Sequence, residues 1–170
     1  MSAQILQTSE YEEEIEDTQA DKYLTFTLGA EAYGIAIRHV IEIIKLQPLT
    51  EVPDMPDYIQ GVMNLRGQII PVMDVRKRFK KEPIPYNDRT CIVVIAVGDL
   101  SIGLIVESVS EVLTIAEDHI VSPPDLGKVR NRFIDGISRT VGDVKLLVNA
   151  EKLIADEDKV IFTNTYEGAL

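Results

Sequence analysis

The chain has 170 residues, 45% hydrophobic and 26% charged, with one cysteine and a net charge of −11. That balance is ordinary for a globular fold able to bury roughly 70% of its unfolded surface. No apolar run approaches the 18 residues of a membrane span, no secretory signal is visible at the N-terminus, and a lone cysteine, Cys91, fits a reducing cytoplasm and excludes an internal disulfide.

Residues 1–21 hold seven carboxylates and no lysine or arginine, and read as a solvated, mobile acidic arm. Residues 156–170, a weakly patterned tail, carry a net −3, so the body between the two ends is close to neutral. It therefore lacks the basic footprint of a nucleic-acid-binding surface. From Lys22 the pattern changes. Leu24, Phe26 and Leu28 alternate with Tyr23, Thr25 and Thr27, the period of a half-buried strand. Gly29 marks a turn, and residues 32–37 return as a second strand. Ile37, Val40, Ile41 and Ile44 fall at helical spacing, which predicts a short amphipathic helix ended before Pro48.

Residues 58–79, YIQGVMNLRGQIIPVMDVRKRF, read as strand, tight turn at Arg66-Gly67, strand and then one or two basic helical turns. Residues 82–88 are a connector. Residues 91–97, nearly all apolar and β-branched, predict a strand covered on both faces. Gly98-Asp99 makes the next turn, residues 101–106 return, and Val109, Val112 and Leu113 echo the short helix. A proline-containing loop over residues 117–132 leads to a second hairpin, and residues 150–155 end in helix.

The two halves repeat. Gly29, Gly34, Val40 and Glu42 recur as Gly98, Gly103, Val109 and Glu111 at a spacing of 69, and Ile59, Gly61 and Gly67 recur as Ile134, Gly136 and Gly142 at a spacing of 75. Repeat units of about 22–81 and 89–155 predict a duplicated small β-barrel, with a pair of β-meanders as the alternative. Whether each barrel is one contiguous repeat, or is built from strands exchanged between repeats, is open at this level.

Catalytic chemistry is sparse. His39 and His119 have no cysteine or second histidine at metal-ligand spacing, and His39 is placed opposite the apolar face of its helix, in solvent. Cys91, inside an apolar strand, is expected to be buried and unreactive. Asp74 and Glu107 are read as structural or surface groups. No metal or cofactor is expected, and no enzyme activity. A small β-barrel enzyme or ligand-binding domain, the competing class, would need a concave pocket with convergent polar groups.

The run GVMNLRGQIIPVMDVR, with YGIAIRHVIEII and PDYIQ before it, resembles the CheW family of chemotaxis coupling proteins over approximately residues 23–155. The resemblance implies an all-β fold of two five-stranded SH3-like barrels related by a pseudo-two-fold axis. It implies a non-enzymatic cytoplasmic adaptor, recruited to arrays at the inner membrane without inserting into it. Its partners would be the cytoplasmic tip of methyl-accepting receptors and the regulatory domain of a CheA-type histidine kinase. An alternative is the same kind of adaptor in another receptor–kinase pathway such as surface motility. Matching the motif assigns receptor binding to Val40, Glu42 and Arg66, with Ile37 and Val109 lining an apolar groove beside Val40. Val40 as plain core and Arg66 as plain turn are the structural alternatives. Kinase binding is placed at hairpin ends near Gly34, Ile102 and Gly103. Ala36 and His39 depart from the family pattern, and the acidic arm is extra.

Overall fold

Glycine and one arginine in left-handed backbone mark the tight hairpins. The computed structural model describes residues 19–123, 132–140 and 143–154. The expectations for most of the acidic arm, the proline-containing loop at 124–131, the turn at Gly142, Ala155 and the C-terminal tail lie outside these residues. Strands β1 (Lys22–Leu28) and β2 (Glu31–Ala36) pair antiparallel around Gly29, at φ +63°. Strands β4 (Ile59–Leu65) and β5 (Gln68–Asp74) pair around Arg66 and Gly67, at φ +54° and +86°. A two-residue loop with both residues at positive φ is the type I′ geometry whose twist matches that of the flanking strands. Single helical turns follow, α1 (Val75–Arg78) and α2 (Ala150–Leu153), each capped by the side chain before it. Asp74 accepts from the Lys77 amide at 3.3 Å, and Asn149 from the Lys152 amide at 3.0 Å.

The predicted amphipathic helices are strands. Only Ile37–His39 makes a helical turn, of the 3-10 type, before β3 (Val40–Lys45) runs extended with half-buried and exposed residues alternating. The counterpart with Val109, Val112 and Leu113 is likewise strand β8 (Ser108–Thr114). Both segments are rich in β-branched residues, which lose side-chain freedom in a helix and pack well on a pleated sheet. Pairing with distant strands then settles the matter, as β3 joins β6 (Cys91–Val97) and β8 joins β1. Both pairings carry a bulge at the same place in the repeat, between Val40 and Glu42 and opposite Thr25. In the second bulge the Thr25 hydroxyl donates to the Glu111 carbonyl at 2.8 Å and accepts from the Glu111 amide at 3.1 Å.

The remaining strands are β7 (Leu100–Val106), β9 (Ile120–Val121), β10 (Ile134–Thr140) and β11 (Asp143–Val148). They complete a six-stranded sheet in the order β8-β1-β2-β11-β10-β9 and a five-stranded sheet in the order β3-β6-β7-β5-β4. These are the two SH3-like barrels, and the order shows that strands are exchanged. Each barrel takes the first two strands of one repeat and the later strands of the other, three in the five-stranded barrel and four, with the short β9, in the six-stranded one, joined by a parallel pairing, β5 with β7 or β11 with β2. Neither repeat can close a barrel alone.

The main core reflects this mutual dependence. Phe26, Leu28, Tyr33 and Ile35 of one sheet pack in a single cluster with Met73, Val93, Ile95, Ile102 and Leu104 of the other and with Leu153 of α2. A fully buried side chain of this size contributes ~1.5–3 kcal/mol of transfer free energy. An aromatic series runs out of this core toward α1. Phe26, Tyr33, Phe79 and Phe133 stack in order with centroids 5.6, 5.5 and 5.4 Å apart. A second, aliphatic cluster of Met63, Ile70, Val72, Ile92, Val94 and Ile105 fills the five-stranded barrel.

Candidate partner-binding surface

The five-stranded sheet has β3 at one edge and β4 at the other, so its closure depends on contacts between those edges. One is the ion pair of Glu42 on β3 with Arg66 at the β4–β5 turn. It is bidentate, with Arg66 Nη1 donating to Oε1 at 2.8 Å and Nη2 to Oε2 at 2.7 Å. Arg66 remains 71% exposed and Glu42 24%. The Arg66 guanidinium holds the Glu42 carboxyl below its usual range, and the carboxylate in turn raises the arginine. Arg66 is held in place by its turn, where Asn64 Oδ1 accepts from the Gly67 amide at 2.8 Å. In the second repeat Glu111 corresponds to Glu42, but the position of Arg66 is taken by Val141, so that half has no such pair.

Val40, Ile37 and Val109 are half-buried and pack against the main core cluster. The structure thus joins Glu42 directly to Arg66, 24 residues away in sequence, and leaves Val40, Ile37 and Val109 on the partly covered margin of the core. Gly34, Ile102 and Gly103 are elsewhere than expected. They sit within β2 and β7 rather than at hairpin ends, and all three are buried. Gly34 pairs with Thr25 and Leu147, and Gly103 with Val94 and Val72. A methyl at Gly103 would lie 2.8 Å from Ile92 Cγ2, and one at Gly34 3.1 Å from Leu147 Cδ2, so close packing accounts for both glycines.

Other expectations shift in detail. His39 is half-buried at the 3-10 turn, with Nδ1 3.3 Å from the Ala96 carbonyl, because the helix that would have turned it outward is absent. Cys91 opens its strand and is half-buried rather than buried. Burial still pushes its thiol up, away from the reactive thiolate. Asp74 and Glu107 have separate structural partners. Asp74 also accepts from the Tyr86 hydroxyl at 2.7 Å, and Glu107 accepts from the Gly29 amide and from Arg76 at 3.1 Å.

Sequence periodicity missed the outward aliphatic surface. Ile41 is 54% exposed and Ile43 45%, with Ile69, Val112 and Val144 also exposed. Reading residues 40–45 as a strand would have found the first two, since they alternate with Val40, Glu42 and Ile44. Among the described residues no group of three or more His, Cys, Asp and Glu is placed to hold a metal, and no helix is long and apolar enough to cross a membrane.

Two strand-exchanged SH3-like barrels, with a charged clasp and exposed aliphatics on the surface, define a double-barrel all-β module. Residues 22–158 match the CheW-like domain family. The chain is 33% identical over 149 residues to the chemotaxis protein CheW of Klebsiella aerogenes, covering 87% of this chain and 90% of that one. It is 26% identical over 135 residues to protein FrzA of Myxococcus xanthus, covering 78% and 84%. The crystal structure of the scaffolding protein TtCheW from Thermoanaerobacter tengcongensis superposes with a TM-score of 0.75 at 33% identity, over 81% of this chain and 94% of that one. The chain belongs to the CheW family of chemotaxis coupling proteins. Members of that family are scaffolds rather than enzymes.

Proposed function

We propose that this protein couples methyl-accepting receptors to a CheA-type histidine kinase, as a cytoplasmic adaptor that supports signalling arrays beneath the inner membrane. The observation that carries the reading is the Glu42–Arg66 clasp beside Val40. Two residues that the family motif assigns to receptor binding hold one another in a fixed, solvent-facing geometry. A receptor helix laid along the half-buried Ile37, Val40 and Val109 would meet a preorganised carboxylate and guanidinium at the rim, the arrangement of helix-in-groove recognition. For the kinase, Gly34, Ile102 and Gly103 act through packing that shapes the barrels. The exposed Ile41, Ile43 and Ile69 of the five-stranded barrel supply the apolar contact area that these buried residues lack.

The test is kinase autophosphorylation with receptor-containing membranes, with and without the protein, and with Val40→Met and Arg66→Ala variants. Activation by the native chain is expected, and its loss in the variants while folding and kinase binding persist. Activation that survives both substitutions would remove Val40 and Arg66 from the receptor site. A second reading, an adaptor in another receptor–kinase pathway, is supported by the similarity to FrzA. It predicts coupling to a different receptor set through the same surfaces.

A further inference from the structure

The pseudo-symmetry breaks at the mouths of the two barrels. After α1 the chain runs back over the five-stranded barrel, and Ile84, Pro85 and Tyr86 lie against Asp74, Arg76, Ile105 and Glu107, leaving a gap of only about 10 Å³. Tyr86 is anchored by its hydroxyl on Asp74 at 2.7 Å, and the approach is guided by Arg76, whose Nε donates to the Glu82 carbonyl at 2.8 Å. At the six-stranded barrel the equivalent positions are Asn149, Glu151, Ala36 and Arg38, and they line an open recess of about 240 Å³.

We propose that this recess receives the chain's own residues 159–162, which lie outside the described residues. The repeat spacing of 75 that relates Asp74 to Asn149 places Lys159, Val160 and Ile161 at the positions of Ile84, Pro85 and Tyr86. Four residues lie between Phe79 and Ile84, and four between Ile154 and Lys159, so the reach is the same. The chemistry has changed in step on both sides. Asn149 gives its side-chain amide to Asp135 at 2.6 Å, so it makes no call on a phenol, and position 161 carries isoleucine in place of tyrosine. Ala36 replaces the bulkier Ile105, which opens room for Ile161 and Phe162. The rim pair Arg76–Glu107, 3.1 Å apart, becomes Glu151 and Arg38, with the signs reversed and no ion pair between them. Lys159, the only cation in residues 156–170, would then face Glu151. Filling the recess buries apolar surface otherwise left in water.

The test uses the full-length chain with Cys91→Ser and Asn164→Cys, carrying a nitroxide at position 164 just beyond the seated segment, in amide NMR spectra. Loss of the Ala36, Arg38, His39 and Gly136 signals is expected. It should be abolished when Phe162→Asp and Val160→Asp are added, and it should persist when labelled chain is diluted into unlabelled chain. Broadening elsewhere, no broadening, or broadening only between copies would overturn the proposal and leave the recess to a partner. None of these results depends on kinase or receptor coupling.

Discussion

Replacing Gly103 by alanine separates a packing role from a kinase-contact role. The residue lies mid-strand in β7 without positive φ, so backbone strain is not at issue. The added methyl would stand 2.8 Å from Ile92 Cγ2 and 3.4 Å from both Met63 Cε and Val72 Cγ2. Met63 can yield, but Ile92 is β-branched on a central strand and fully buried, so β6 and β7 must part slightly. Overpacking of this kind costs ~1–3 kcal/mol, and the lower chain entropy of alanine returns ~0.4–1 kcal/mol, for a net loss of about 1–2 kcal/mol. Urea unfolding should show a lower midpoint at unchanged slope. In thermal unfolding Tm should fall by about 2–4 °C per kcal/mol. Adding Ile92→Ala, itself costly, removes the colliding methyl, so the double mutant should be more stable than the sum of the single losses by about 1 kcal/mol. Kinase affinity measured well below Tm should be unchanged. Native stability with weakened kinase binding would refute the packing account and return Gly103 to a contact surface.

Gly61, at φ +149°, directs the place of a Cβ into the Thr50 carbonyl, so Gly61→Ala should cost about 3 kcal/mol or more and lower the unfolding midpoint accordingly. Because Arg66 depresses the Glu42 carboxyl below its ordinary 4.5, the contribution of the clasp to stability is complete above that pH and is lost as pH falls through the folded value. Carboxyl NMR should therefore show Glu42 titrating below 4.5 and returning toward it in Arg66→Ala. Ile41→Ser with Ile43→Ser should leave stability within about 0.5 kcal/mol, as expected of exposed sites, while weakening kinase binding in a pull-down or titration. Deleting residues 1–18 should leave receptor and kinase affinities intact when both are measured by titration.

Turn and repeat were legible in the residues. Gly29, Gly67 and Gly98 sit at reversals because a positive φ is a local demand, met by the residue itself. The recurrence of Gly34, Val40 and Glu42 as Gly103, Val109 and Glu111 announced a doubled unit, and the NLRG run carried the family. Residues 40–45 were misleading because both periods place Val40 and Ile44 on one side. Only the β6 partner shows that Ile41 and Ile43 face water. The exchange of β3 and β8 between barrels left no trace in the sequence, because two similar repeats offer the same residues for pairing within a copy and across copies. The short connections at Ile37–His39 and Glu107 carry each third strand onto the other barrel. Duplication, turns and family were all written in local residue pattern. Tertiary pairing alone decided which copy each strand completes, brought Glu42 to Arg66, and buried Gly34 and Gly103, because those outcomes depend on contacts between residues far apart in the chain.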